Sequence, residues 1–298
     1  MTKRLLVSAV VTVALASTIG IAQQSPSAEN PTPPAFEVAS VKTNKSGEMG
    51  ARIQRQPGGR FNAINMPLRD LIMFSYQVRP FQIEGAPDWI GPARYDIVAK
   101  AESEFPLAPP GGAPPPDMLM LRTLLADRFK LVVHFETKEM PIYTLSVARP
   151  DGRLGPQLTP STTDCAALMK ERMGRGGAPP PPAPGGRMEC GMAVAPNRLM
   201  GGGFPISELS NMLSVLVQRT VVDRTGLTGN YDVVMTFQPE QLPGPGGAVL
   251  PPPAAAAGDS NAPSLFTAVQ EQLGLKLESS RGPVQVLVID RVEPPTED

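Results

Sequence analysis

The chain has 298 residues, a formal net charge of −1, one histidine and two cysteines. The balanced charge argues against a general nucleic-acid surface, which needs a clustered excess of lysine and arginine. The small cluster Arg52, Arg55 and Arg60 is interpreted as the solvated face of a strand rather than as an anion site. The single histidine excludes metal sites built from several histidines and restricts any serine–histidine–aspartate relay to His134.

The first residues have the layout of a secretory signal peptide. Lys3 and Arg4 precede an uncharged apolar stretch, Leu5–Ala22, and the chain turns polar at Gln23. Small residues before this turn suit signal peptidase, so we expect cleavage between Ala22 and Gln23. An uncleaved N-terminal anchor is the alternative, because the stretch approaches the length of a membrane-spanning helix. Either outcome places the folded part outside the cytoplasm, in the periplasm or secreted.

Proline and glycine, 36 and 28 residues in all, are concentrated in a few tracts that cannot bury a core. Three such tracts are 105–116, 174–187 and 239–258. Residues 23–35 are typical of a disordered lead-in. The rest of the chain predicts two folded modules, 36–150 and 197–294, joined by a Pro/Gly-rich linker at 151–196.

The first module predicts an α+β fold with two helices on one face of a small mixed or antiparallel sheet. Phe36–Val41 and Arg52–Gln56 predict an N-terminal hairpin. A strand from Gly59 precedes a helix that starts at Pro67, since the first helical turn leaves its N–H groups unpaired and proline has none. Two strands, a second helix at 117–129 and two further strands complete the order strand, helix, strand, strand, helix, strand, strand.

The second module repeats the same order of features. Met66–Leu68 matches Phe204–Ile206, and Tyr95–Val98 matches Tyr231–Val234. A proline- and glycine-rich tract follows the second of these matches in both modules. Six elements in the same order indicate an internal duplication of the α+β unit.

Cys165 and Cys190 lie within the predicted linker. An oxidising compartment outside the cytoplasm favours a disulfide between them, which would close the linker into a loop. A reactive or metal-binding thiol pair is the alternative, although this spacing is not that of a metal-ligand pair.

The sequence contains no nucleophile elbow, phosphate-binding loop or zinc-protease motif. His134 lies in an alternating strand and is more typical of a strand residue than of a catalytic base. Asp96 and Asp232 each follow a tyrosine and could serve a hydrolase that uses paired carboxylates. Their recurrence is equally what equivalent strand positions in a duplicated unit give. We therefore predict no catalytic, cofactor-binding or metal-binding residues.

Seven motifs spread along the chain after the signal: Phe36–Lys42, Asn65–Leu71, Ile83–Trp89, Tyr95–Ile97, Leu124–Phe129, Val222–Gly229 and Gln272–Leu275. They resemble an uncharacterised exported family expanded in soil acidobacteria, which has no established activity, so the resemblance implies no catalytic residues. Related domains are appended to membrane metallopeptidases of the antibiotic-sensor type, which implies an extracytoplasmic binding or sensing role. The fold is also similar to the short N-terminal domain of secretins and TonB-dependent receptors, a module that binds protein partners.

The leading expectation is an exported, non-enzymatic binding or interaction module, which adds a strand of an envelope protein to a sheet edge. It implies no cofactor, no nucleic acid and no membrane span once the signal is removed. A periplasmic hydrolase with paired carboxylates and a structural envelope component are the alternatives. The ligand, the partner and the oligomeric state stay open.

Overall fold

The helices and strands combine in the α+β class that the sequence predicts. The computed structural model describes residues 33–47, 50–105, 114–174, 188–195, 197–238 and 262–295. These residues contain five α-helices and twelve strands, which confirms the α+β prediction. The predicted signal peptide, its cleavage site at Ala22 and Gln23, and the lead-in up to Thr32 lie outside the described residues.

The first half of the chain contributes six strands and two helices. They are β1 (Val38–Thr43), β2 (Arg52–Gln56), β3 (Arg60–Pro67), α1 (Leu68–Tyr76), β4 (Ile83–Glu84), β5 (Arg94–Lys100), α2 (Pro116–Phe129) and β6 (Val132–Val147). Strands β1 and β2 do not form the predicted N-terminal hairpin. Each pairs with a different strand, giving an antiparallel sheet of order β1-β5-β3-β2 in which they lie at opposite edges.

The second half contributes six further strands and three helices. They are β7 (Leu158–Pro160), α3 (Cys165–Gly174), β8 (Gly191–Ala195), β9 (Arg198–Pro205), α4 (Ile206–Leu216), β10 (Val221–Asp223), β11 (Asn230–Thr236), α5 (Leu265–Leu273) and β12 (Leu275–Arg291). The sheet order β7-β11-β9-β8 has the same pattern as the first sheet. Residues 151–196, expected as a linker, therefore supply β7, α3 and β8, and β7 and β8 correspond to β1 and β2.

The helices follow from apolar spacing and from residues that suit their ends. Leu68, Leu71 and Ile72 give α1 one buried face. Prolines stand just before α1 and α4, at the N-cap position. Ser264 caps α5 by accepting a hydrogen bond from the Thr267 N–H at 3.2 Å.

The last strands of the two halves pair with each other in a central sheet of order β10-β6-β12-β4. Strands β6 and β12 run antiparallel over almost their whole length. The sequence predicts two strands in each place, whereas the structure joins them into one. The short strand β10 pairs in parallel with β6, and the short strand β4 pairs in parallel with β12. Each half therefore contributes two strands to this sheet.

Pro141 and Pro283 stand within these long strands without breaking the ladder. Neighbouring residues of a strand direct their N–H groups to opposite sides. Tyr143, two residues after Pro141, donates its N–H outward to the Thr220 carbonyl at 2.9 Å. The missing N–H of Pro141 therefore belongs to the outer side of β6, and the register places Pro283 in the same way on β12. An outward position is where an edge strand tolerates proline.

Each half completes the hydrophobic core of the other. Leu287 and Ile289 of β12 are buried in the first core with α1 and α2. Leu145 of β6 is buried in the second core with α4 and α5. Burial of one such side chain stabilises the fold by about 1.5–3 kcal/mol. Both cores belong to one compact unit that starts at Pro33.

Candidate binding site

Asp96 and Asp232 lie opposite equivalent β-bulges in the two outer sheets. The register shifts at Asn65 in β3 and at Gly203 in β9, and these residues have φ values of 54° and 60°. The Asn65 N–H donates to Asp96 Oδ1 at 2.8 Å, and the Gly203 N–H donates to Asp232 Oδ1 at 2.9 Å. Each carboxylate thus satisfies an amide that the bulge removes from the ladder.

The two aspartates have separate structural tasks. Asp96 also accepts two hydrogen bonds from the Asn44 side-chain amide, at 2.9 and 3.0 Å. The structure places Asp96 and Asp232 in different sheets, each bound to its own bulge. Their recurrence follows from their equivalent strand positions, and the geometry does not favour a shared catalytic site.

His134 lies on the central sheet, with both ring nitrogens bound to carboxylates. Nδ1 is 2.8 Å from Asp290 Oδ2, and Nε2 is 3.1 Å from Glu136 Oε1. These two hydrogen bonds raise the pKa of His134 above its ordinary value. Because neither nitrogen is left to accept a proton from a substrate, His134 is poorly placed as a general base.

A charged row continues from His134 along the same face of the sheet. Glu136 pairs with Lys138 at 3.1 Å, and Lys138 also pairs with Glu84 of β4. The hydrogen bonds from His134 and Lys138 hold the pKa of Glu136 below its ordinary value. This face is therefore polar and internally paired.

The outer side of β6 has an open hydrogen-bonding edge. Strand β10 covers this side at the C-terminal end of β6, where Tyr143 donates to Thr220. By alternation, Val133, Phe135 and Thr137 direct their N–H and C=O groups to the same side. No strand of the described parts of the chain pairs with these three residues on that side. We call Val133, Phe135 and Thr137 the β6 edge.

An aromatic stack lies beside the β6 edge. Phe135 is 43% exposed, and its ring is 6.4 Å from that of Tyr76 in an edge-to-face arrangement. The Arg122 guanidinium lies over the Tyr76 ring, with its central carbon 4.6 Å from the ring centroid. Burial raises the pKa of Tyr76, partly offset by Arg122. Proteins usually protect an open edge, and here it is accompanied by exposed apolar surface.

The predicted disulfide between Cys165 and Cys190 is confirmed, with Cα atoms 5.5 Å apart. It joins the start of α3 to the residue before β8, and it packs against the bulge of β9. A Cβ at Gly203 would overlap the Cys165 sulfur. The bridge therefore has a structural role in the second outer sheet.

The predicted arginine cluster is divided by the fold. Arg55 lies on the same face of the sheet as Phe61 and pairs at 2.7 Å with Asp117, which is buried in the first turn of α2. Arg52 and Arg60 lie at register positions on the opposite face of the sheet. The cluster is therefore no anion site.

No group of three or more metal-ligating side chains occurs among the described residues. No helix in the described ranges is long and apolar enough to cross a membrane. Sequence reasoning missed the stack of Phe135, Tyr76 and Arg122, which come from three separate elements. The one available signal was the alternation around His134, which places Phe135 on the opposite face.

A family model described as "Protein of unknown function (DUF3738)" matches residues 69–292. No curated protein matches the chain, and no solved structure matches it.

Proposed function

Since the chain belongs to the DUF3738 family of proteins of unknown function, we propose that it is an exported, non-enzymatic binding module. Its partner is a cell-envelope protein that supplies an extended segment as an added strand on the β6 edge. The observation that carries this proposal is the open edge at Phe135 and Thr137 beside an exposed aromatic ring. In strand addition, main-chain hydrogen bonds give affinity and alternate side chains give specificity.

The two faces of the edge define the chemistry of the partner. On the helix side, the added strand meets the rings of Phe135 and Tyr76 and the cation of Arg122, which has no carboxylate partner among the described residues. On the other side it meets the charged row around Glu136. The partner segment is therefore extended, with apolar and acidic residues alternating on one face and polar residues on the other.

Export is supported by the N-terminal sequence and by the disulfide. Lys3, Arg4 and the apolar stretch to Ala22 have the order of a signal peptide. Disulfides persist in oxidising compartments, and the Cys165–Cys190 bridge fits one. N-terminal mass spectrometry of the protein from cell fractions tests this part, with Gln23 as the expected first residue of an exported form. A cytoplasmic protein that starts at Met1 would contradict it.

Binding is favoured over hydrolysis because the side chains that a hydrolase would use have other partners. Asp96 and Asp232 hold bulge amides, and His134 is bound by two carboxylates. The hydrolase alternative therefore has no observation in its favour.

The test uses peptides selected by display against the chain from residue 23 onward. We expect selected peptides to have apolar and acidic residues in turn at every second position, with polar residues between them, and to slow amide exchange at Phe135 and Thr137. Thr137→Pro removes an outward N–H from the β6 edge, as Pro141 already does further along. It should weaken peptide binding at least tenfold, a loss of about 1.4 kcal/mol.

Ser279→Pro is the matched control. Ser279 lies opposite Tyr143 in the register, so its N–H points outward from β12 on the other side of the sheet. This variant should bind the selected peptides as the wild type does. Equal binding by Thr137→Pro, or amide protection that maps away from the β6 edge, would refute the proposed site.

A further inference from the structure

A cavity of about 340 Å³ lies between the two halves. The segment after α1 supplies Gln77, Arg79 and Phe81, while α4 and the start of β10 supply Asn211 and Thr220. This volume is at the lower end of the range for small-molecule sites, which often lie where two structural units meet.

Arg79 gives this cavity its charge. Among the described residues that line the cavity, Arg79 is the sole charged side chain. Its guanidinium has no carboxylate and no hydrogen-bond acceptor within the part of the chain that the structure describes. Burial lowers the pKa of Arg79 from its ordinary value, yet a guanidinium remains a cation at neutral pH. Arg79, Gln77 and Asn211 are exposed side chains, so the cavity is open to solvent. Its described lining holds one cation and no carboxylate, which favours an anion over a cation in the cavity.

Two of the other lining side chains already form hydrogen bonds within the protein. Ser214 donates to the Ser210 carbonyl and accepts from the Val221 N–H, both at 2.8 Å, so it is occupied. Gln82 accepts from the Arg79 N–H at 3.0 Å and donates to the Gln285 carbonyl at 2.9 Å. These bonds fix the walls of the cavity around Arg79.

The available groups are the side-chain amides of Gln77 and Asn211 and the hydroxyl of Thr220. None of these side-chain groups has a partner within the described ranges, and each can donate to an anion. Phe81 and Val221 add an apolar wall. One guanidinium matches one carboxylate through two parallel hydrogen bonds.

We propose that this cavity binds a small monocarboxylate with a short apolar substituent, held by Arg79 and oriented by Gln77, Asn211 and Thr220. The described lining of the cavity shares no residue with the β6 edge. The Thr137→Pro variant should therefore bind carboxylates as the wild type does, which distinguishes failure of this inference from failure of the proposed function.

The test is titration calorimetry with N-acetyl-L-leucine, together with NMR of the arginine Nε–H resonances. We expect saturable binding of one ligand per chain and a shift of the Arg79 resonance. N-acetyl-L-leucinamide, the neutral analogue, should bind at least tenfold more weakly. Arg79→Met should have the same effect, and Asn211→Ala should weaken binding to a smaller degree.

Arg224→Met is the matched control, since Arg224 is an exposed arginine that does not line the cavity. It should bind N-acetyl-L-leucine as the wild type does. Four results would overturn the inference: no saturation below about 10 mM, equal binding of the neutral analogue, unchanged binding by Arg79→Met, or binding of inorganic phosphate in place of the carboxylate.

Discussion

Replacement of Asp96 by alanine tests whether the recurring aspartates hold the bulges of the outer sheets. The substitution removes the acceptor of three hydrogen bonds, one from the Asn65 N–H and two from Asn44. Asn65 is 3% exposed, so its N–H cannot turn to water. An unsatisfied buried donor costs about 1–3 kcal/mol, and an ordinary hydrogen bond contributes about 0.5–1.5 kcal/mol. We therefore expect Asp96→Ala to lower the free energy of unfolding by about 2–4 kcal/mol.

Two further variants make this prediction specific. Asp96→Asn retains an oxygen for the Asn65 N–H but loses an acceptor for Asn44, so its cost should be about 1 kcal/mol. Asp232→Ala leaves one bulge amide, that of Gly203, without its acceptor, and should lower the free energy of unfolding by about 1–3 kcal/mol. The order of destabilisation, Asp96→Ala, then Asp232→Ala, then Asp96→Asn, follows from the number and burial of the donors.

Urea unfolding followed by circular dichroism measures these differences. If the free energy of unfolding falls with urea concentration at the same slope in every variant, the substitutions change stability rather than the compactness of the folded or unfolded state. If Asp96→Ala lost less than about 0.5 kcal/mol, the bulge amide would not depend on this carboxylate. The recurrence of Asp96 and Asp232 would then need another explanation, and a catalytic role for the two carboxylates would have to be tested.

Three further predictions follow from the contacts of the fold. Replacing Cys165 and Cys190 by alanine should lower the free energy of unfolding by about 3 kcal/mol, and a reductant should destabilise the wild type but not this variant. NMR titration of His134 should give a pKa above about 6.5, because its carboxylate partners favour the imidazolium. Its stabilising effect is present below the unfolded-state pKa and is lost as the pH rises through the folded-state pKa, so His134→Gln should lower stability at pH 5.5 but not at pH 9. A fragment of residues 33–150 should lack cooperative thermal unfolding, since its core requires Leu287 of β12.

The helices could be predicted because their apolar spacing and their end signals agree. Leu68, Leu71 and Ile72 mark one face of α1, and Ser264 marks the start of α5. Helix α3 could not be predicted, because Cys165–Gly174 adjoins a Pro/Gly tract and was therefore assigned to the linker.

Strand pairing between the halves was beyond sequence reasoning. A strand pattern indicates which residues face a core, but it does not identify the partner strand. The predicted hairpin of β1 and β2 was wrong for this reason, since either strand could satisfy its alternation beside β5 or β3. The β6 edge could not be predicted for the same reason, because it depends on which residues of β6 have no partner strand.

The internal duplication stays a prediction, although the shared element order and sheet order support it. If the halves are related, the open edge of β6 has a counterpart on β12, where Leu277, Ser279 and Arg281 direct their amides outward. The side chains of the two edges can be compared position by position. On β12, Lys276 pairs with Glu278 at 2.9 Å, and Arg281 donates to the Glu139 carbonyl at 3.2 Å.

Charged residues therefore accompany both edges, since Lys276 and Glu278 on β12 stand where His134 and Glu136 stand on β6. The outward positions between these charges differ: Phe135 on the β6 edge exposes its ring beside Tyr76, whereas Leu277 on β12 is partly buried in the second core. The difference between equivalent positions therefore points to a task that one edge has and the other lacks. Peptide binding should accordingly saturate at one segment per chain.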